Sequence, residues 1–346
     1  MIVLESMNKE GLKMFSKRLF CLLIVSVVFL YLISTPFAAE PKKETVTCRI
    51  ATHMSAKDSA GMACKKLGEL LIKKSNGRIK AWVATDGELG SQREAVEQVS
   101  DGSIEMTTTL PTGGGAYVPA LFGFEFPYIY KDDQHMFRVL KELRPYVEEL
   151  LSPYNFKPLG ALNIGFRHML NRKRPIYKVA DLKGLKMRGP NPMYVGMFNA
   201  LGATGTTVTW TEVYTALQTG AVDGMEASPA LIYAMKFHEQ AKYLSKTYHI
   251  GANLYFMASK KWFDGLPDDL KKIVMESTEE ASAYQLDMEM KLEKESLGKL
   301  VAEGVKINGV ENLNEFRDTL IAFREKYAKE KGPEFEKLYK KILGVK

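Results

Sequence analysis

The chain of 346 residues reads as an α/β protein with a hinged, two-lobed clam-shell architecture. Three observations predict this. Strand-length apolar segments alternate with amphipathic helical segments from residue 46 onward, the pattern of a mainly parallel sheet with helices on both faces. That alternation restarts near Leu159 after an interruption rich in glycine, proline and aromatics. The length also exceeds the size at which one hydrophobic core keeps growing, so two lobes are the default.

The elements follow in order. Residues 46–51 alternate as a first strand. Met62, Ala63, Leu67, Leu70 and Leu71 recur at helical spacing, and Asn76-Gly77 supplies a left-handed stop. The segment RIKAWV is a second strand. Ser91 with Glu94 forms a capping box heading a helix that stops at Gly102, and SIEMTTTL is a third strand. The run PTGGGAYVPALFGFEFPYIY has neither a phosphate-loop lysine nor a G-x-G-x-x-G pattern, so Gly113, Gly114 and Gly115 read as a flexible crossing loop.

In the second block PLGALNIGFRHML is a strand and its exit. ADLKGLKMRG gives a strand after Gly184, with Leu185 and Met187 on one face and Lys186 and Arg188 on the other. Asn191 caps the next helix and Pro192 occupies its first position. That helix ends at Gly202. Thr209 with Glu212 forms a second capping box, followed by AVDGMEA as a strand. Pro267 then opens a long helix to about Val301, and further helices cover residues 311–343, bracing both lobes.

The amino terminus carries Lys13, Lys17 and Arg18, then an apolar run over residues 19–33, then STPFAAE. This basic, apolar, small-residue order is that of a secretory leader, and the run is short against the roughly 20 residues of a membrane span. Cleavage is expected near Ala39, leaving Cys48 and Cys64. An oxidising compartment permits a bridge between them, but their spacing matches no metal motif.

The formal charge of +7 is spread along the chain. Its densest cluster, Arg172, Lys173 and Arg174 before Pro175, reads as a solvated loop, so nucleic acid is discounted as a partner. With 46% hydrophobic and 26% charged residues, the chain is neither disordered nor a polytopic membrane protein. His53, His135, His168, His238 and His249 show no ligand spacing and no G-x-S-x-G elbow occurs, so no cofactor, metal or catalytic site is signalled. Asp223 and Glu226 fall in one strand at odd spacing, facing opposite ways.

Arg188 stands out for binding. It ends a strand immediately before a helix amino end, the place where open parallel sheets bind anions. Its guanidinium offers two parallel donors matched to a carboxylate. Arg167 ends another strand, with a surface ion pair as the structural alternative. Trp210 is either an apolar wall or packing beside a helix cap.

The combination of DLKGLKMR, EVYTALQTGAVDG and LPDDLKKIV, within the longer run GFRHMLNRKRPIYKVADLKGLKMRGPNPMYVG, resembles the substrate-binding proteins of tripartite ATP-independent periplasmic (TRAP) transporters. The resemblance implies a periplasmic, non-enzymatic receptor. Such a receptor closes on a small organic carboxylate and docks on a pair of membrane subunits, as a monomer or a dimer. It implies lobes of residues 45–164 with about 252–292, and 165–251 with about 293–346, behind a signal peptide over 1–39. Arg188 matches the family's carboxylate clamp, Arg167 its second basic contact and Trp210 its aromatic wall; Asn191, Glu226 and Thr52 complete the expected contacts. Ala227 stands where many members have asparagine, and Leu110 where sialic-acid binders have an acid. Both turn the expectation toward a small or apolar carboxylate. Delivery to a sensor kinase, or enzymatic action on a carboxylate, are the competing readings.

Overall fold

Alternate side chains of the central strands enter two different cores, and this fixes the architecture. In the computed structural model, which describes residue 14, residues 44–109 and residues 111–346, Met169, Tyr255 and Met257 pack into one apolar cluster. Their neighbours Leu170, Leu254 and Phe256 pack into the other. A strand with apolar side chains on both faces needs cover on both faces. The leader expected over residues 1–39 lies, save for residue 14, outside the described residues, as does Leu110. Among the described residues no helix is long and apolar enough to cross a membrane.

One nine-stranded sheet runs through the compact unit Thr45–Lys346. Its strands are β1 (Val46–Ala51), β2 (Ile79–Ala84), β3 (Met106–Thr109), β4 (Phe156–Asn171), β5 (Lys186–Gly189), β6 (Thr204–Thr207), β7 (Gly224–Ala227), β8 (Tyr243–Ser259) and β9 (Lys306–Gly309). The order is β2-β1-β3-β8-β4-β7-β5-β6, with β9 beside β8. The expected mainly parallel sheet is instead mixed. The outer pairs are parallel, but β3 with β8, β8 with β4, and β4 with β7 are antiparallel. The cause is β8, a strand of 17 residues that returns through the middle of the sheet. Its near-continuous burial leaves no period-two signal to read.

The first core is covered by α2 (Gln92–Asp101), α3 (Asp133–Leu151), α4 (Pro192–Ala200), α9 (Leu313–Lys331) and α10 (Pro333–Gly344). The second is covered by α1 (Ser59–Lys74), α5 (Val213–Thr219), α6 (Pro229–Ala234), α7 (Lys260–Asp264) and α8 (Asp268–Ala302). At 35 residues α8 is about 52 Å long, and it touches α1, β4 and α6. It thus spans both halves of the sheet. Midway along, β4 breaks register between Asn163 and Phe166. Gly165 sits there at φ +78°, a backbone conformation that side chains bearing a Cβ rarely adopt.

The local signals hold at most ends. Ser91 and Glu94 form the reciprocal capping box and Gly102 closes that helix left-handed. Asn191 accepts from the Met193 and Tyr194 amides. The second expected box does not form: the Thr209 side chain makes no cap bond, and residues Trp210–Glu212 make a 3₁₀ turn that carries Trp210 into the core before α5 begins. The triple glycine is not a flexible crossing. An ideal Cβ on Gly113 would fall 1.7 Å from Thr109 Oγ1 and one on Gly115 2.5 Å from Phe122, so these glycines permit close packing. Cys48 and Cys64 are buried free thiols, and Asp223 precedes β7 rather than lying in it.

Candidate functional site

Arg188 leaves the carboxyl end of β5, and Gly189 follows it with no room for a side chain, since a Cβ there would meet Tyr194 at 2.5 Å. The strand end and α4 therefore close on each other. Arg188 is 2% exposed, and its Nε donates to the Val208 carbonyl at 2.9 Å. Trp210 lies with its ring centroid 5.6 Å from the guanidinium carbon, and Trp210 is set in turn by an edge contact with Phe237. Arg188 Nη1 is buried with no hydrogen-bond partner among the described residues. Burial, with Arg167 nearby, holds the guanidinium down at about 10 against the attraction of Glu226, so it is still charged at neutral pH.

Arg167, on β4, lies in the same cavity wall under a different balance. Its Nε and Nη2 grip the Glu226 carboxylate, and Nη2 also donates to the Glu226 carbonyl at 2.7 Å. Burial disfavours its charge, but Glu226 outweighs burial and raises the guanidinium above its ordinary value. Burial lifts the Glu226 carboxyl while Arg167 pulls it back. The ion pair foreseen as a surface contact is thus a core contact, with Arg167 4% and Glu226 0% exposed.

The two arginines border a small cavity of about 30 Å³, with His53, Gln92, Pro190 and Trp210 among its walls. Gln92 and Pro190 also border a neighbouring cavity of about 620 Å³, lined by Arg93, Glu97, Asn191 and Thr207 with Tyr117 and Phe122. The inner space fits a carboxylate group, and the outer space presents donors and acceptors to a larger body.

The remaining expected contacts are distributed unevenly. Asn191 borders the outer cavity but has its Oδ1 committed to the α4 cap, and its Nδ2 donates to Glu125 at 3.5 Å. Glu226 serves Arg167. Thr52 borders neither cavity, and its hydroxyl pairs with Thr108 at 2.6 Å and accepts from the Met54 amide. Ala227 is fully buried in the second core, so it gives no measure of the ligand's hydroxyls.

His53 and Gln92 were missed from sequence. His53 stands two residues beyond β1, at a parallel strand's carboxyl end like Arg188, and the strand-end rule applied to β1 points to it. Its Nδ1 is buried without a partner, and burial with the Arg188 charge lowers the ring to about 4, so it is neutral at pH 7. Gln92 heads α2 and donates from Nε2 to Thr109 Oγ1 at 3.1 Å. Among the described residues no group of three histidine, cysteine or acidic side chains is placed to hold a metal ion.

Residues 50–331 match the family model "Bacterial extracellular solute-binding protein, family 7". A solute-binding protein of Sulfitobacter sp. strain NAS-14.1 is 31% identical, over 86% of this chain and 92% of its own length. The 2,3-diketo-L-gulonate-binding periplasmic protein of Escherichia coli K12 is 30% identical, over 76% and 79%. A crystal structure of a TRAP periplasmic solute-binding protein from Roseobacter denitrificans with bound β-D-glucuronate aligns at a TM-score of 0.83 and 30% identity. It covers 87% of this chain and all of that one. A Sulfitobacter counterpart with bound β-D-galacturonate aligns at 0.82 and 27% identity, over 86% and 99%.

Proposed function

Because the chain belongs to the bacterial extracellular solute-binding proteins of family 7, we propose that it is exported through residues 1–39, captures a sugar acid in the periplasm, and delivers it to the membrane subunits of a TRAP transporter. The carrying observation is Arg188: a buried guanidinium with one nitrogen anchored on Val208 and another lacking a partner. A carboxylate at that position completes its hydrogen bonding in a water-poor site, where a charge-assisted bond is worth about 1.5–3 kcal/mol. Trp210 shields the guanidinium face, Arg167 adds positive potential while held by Glu226, and neutral His53 can donate or accept. The sugar body lies in the outer cavity, its hydroxyls beside Gln92, Arg93 and Asn191 and its ring face toward Tyr117 and Phe122. This replaces the small or apolar carboxylate that Ala227 suggested, and the bound hexuronates of related proteins agree with it.

In this reading the lobes are residues 45–164 with about 252–292, and 165–251 with about 293–346. They close by bending at the register break around Gly165 and at the facing part of β8. No bond is made or broken in the solute. Calorimetry with D-glucuronate, D-galacturonate and succinate tests the assignment. A uronate at 100 times its dissociation constant adds about 2.7 kcal/mol to stability. Arg188→Met cuts that gain at the same uronate concentration to about 0.4 kcal/mol. Wild-type affinity in Arg188→Met overturns the anchor, and silence toward both uronates, whether or not succinate binds, overturns the ligand class.

A further inference from the structure

A separate cavity of about 810 Å³ borders the register break. Asp132, Asp133, Glu289 and Glu293 border it, with Phe137, Leu286 and Met290 as apolar walls and Asn163 and Gly165 also on its lining. Asp132 is committed as the α3 cap, and Asp133 accepts from Asn163 Nδ2 at 2.9 Å. Glu289 differs from these. It is 3% exposed, its Oε2 accepts from Ser59 Oγ, and its Oε1 is buried with no hydrogen-bond partner among the described residues. An ideal Cβ on Gly165 would lie 3.3 Å from that Oε1, so the unpaired oxygen lies beside the bend, whose φ of +78° favours glycine.

Once ionised, a carboxylate oxygen buried without a donor is costly, and its natural complement is a cationic donor. Two features fix the cation's class. No group of three acidic, histidine or cysteine side chains is placed to hold a metal ion among the described residues, and Phe137, Leu286 and Met290 offer an apolar bed larger than a bare ion needs. Arg138 is the guanidinium on the wall, and its Nε is already given to the Lys346 carbonyl at 2.8 Å. We propose that this cavity is a second ligand site, taking an organic cation that sets a primary ammonium on Glu289 Oε1 and an apolar stem against Phe137, Leu286 and Met290.

The groups facing Glu289 shape its pH dependence. Burial, with Glu293, Asp58 and Asp133 nearby, raises the Glu289 carboxyl to about 8 despite the Ser59 bond. Lys246 acts on Glu293. A protonated Glu289 has no charge to offer, so cation affinity rises as pH increases through this value, while an alkylammonium stays protonated.

Benzylamine is the probe, titrated by calorimetry into the purified protein between about pH 6 and 8, where its ammonium stays protonated, with benzyl alcohol as its uncharged counterpart. The expected result is saturable benzylamine binding that strengthens with pH, no matching signal from benzyl alcohol, and binding roughly tenfold or more weaker in Glu289→Gln. Glucuronate does not displace it. Wild-type benzylamine affinity in Glu289→Gln, equal affinity for benzyl alcohol, or no binding below about 10 mM overturns the site. If Glu289→Gln fails to fold by circular dichroism, the more exposed Glu293→Gln decides. A roughly threefold loss supports the site and no loss overturns it.

Discussion

Arg167 and Arg188 border one cavity, each more than nine-tenths buried, yet they are held in opposite ways. Arg167 has its charge matched by Glu226 inside the protein. Arg188 has an acceptor at Nε, an aromatic face from Trp210, and a buried nitrogen without a partner. The contrast teaches that burial alone does not assign a role to a charged residue. A matched charge holds two elements together, here β4 to β7. An unmatched one is stabilised by what binds it.

The largest expected effect breaks the matched member. Arg167→Met leaves Glu226 buried and unpaired, and destabilises the free protein by about 3–5 kcal/mol in urea unfolding. Adding Glu226→Leu recovers most of that loss, because an apolar pair of similar volume replaces the ions. A similar loss in single and double variants would show that packing, rather than charge, dominates there.

Arg188→Met reverses the pattern. Uronate affinity falls roughly 100-fold, a cost of about 2.7 kcal/mol, while the ligand-free protein changes by less than about 1 kcal/mol because an incompletely bonded charge has left the interior. Calorimetry and urea unfolding of the same sample separate the two effects. Trp210→Leu is milder: loss of the cation–π contact weakens uronate binding by roughly three- to fivefold, about 0.5–1 kcal/mol.

His53 sharpens the comparison through pH. Its folded value of about 4 lies below the ordinary histidine value of 6.5. The unfolded chain therefore takes up a proton first as pH falls, so this residue's contribution is complete above 6.5 and is lost as pH drops toward 4. His53→Gln flattens the acid limb of a stability–pH curve over that window while leaving stability at pH 8 nearly unchanged. An unaltered limb would mean that the ring is not held neutral by burial beside Arg188.

Much of the frame was legible in the chain. Ser91 with Glu94, Asn191 with Pro192, and the left-handed glycines at 77 and 102 act within a turn of themselves, so sequence alone reveals them. The strand-end arginine at 188 was legible for the same reason, since strand, arginine and helix cap are contiguous. Where a local signal failed, a distant contact had displaced it: Thr209 and Glu212 have the spacing of a capping box, but Trp210 is drawn inward by Phe237 and Arg188.

The sequence by itself determined an α/β chain with helices on both faces of its sheet, the positions of most helix ends, and one arginine at a strand's carboxyl end beside a helix amino end. Those features follow from hydrophobic periodicity and from bonds spanning a few residues. Only the tertiary structure decided that the sheet is mixed, that Arg167 meets Glu226 across 59 residues, that His53 and Gln92 join Arg188, and that Glu289 faces Gly165. Each depends on which strands become neighbours, and β8, buried too evenly to announce itself, sets that order by returning through the centre of the sheet.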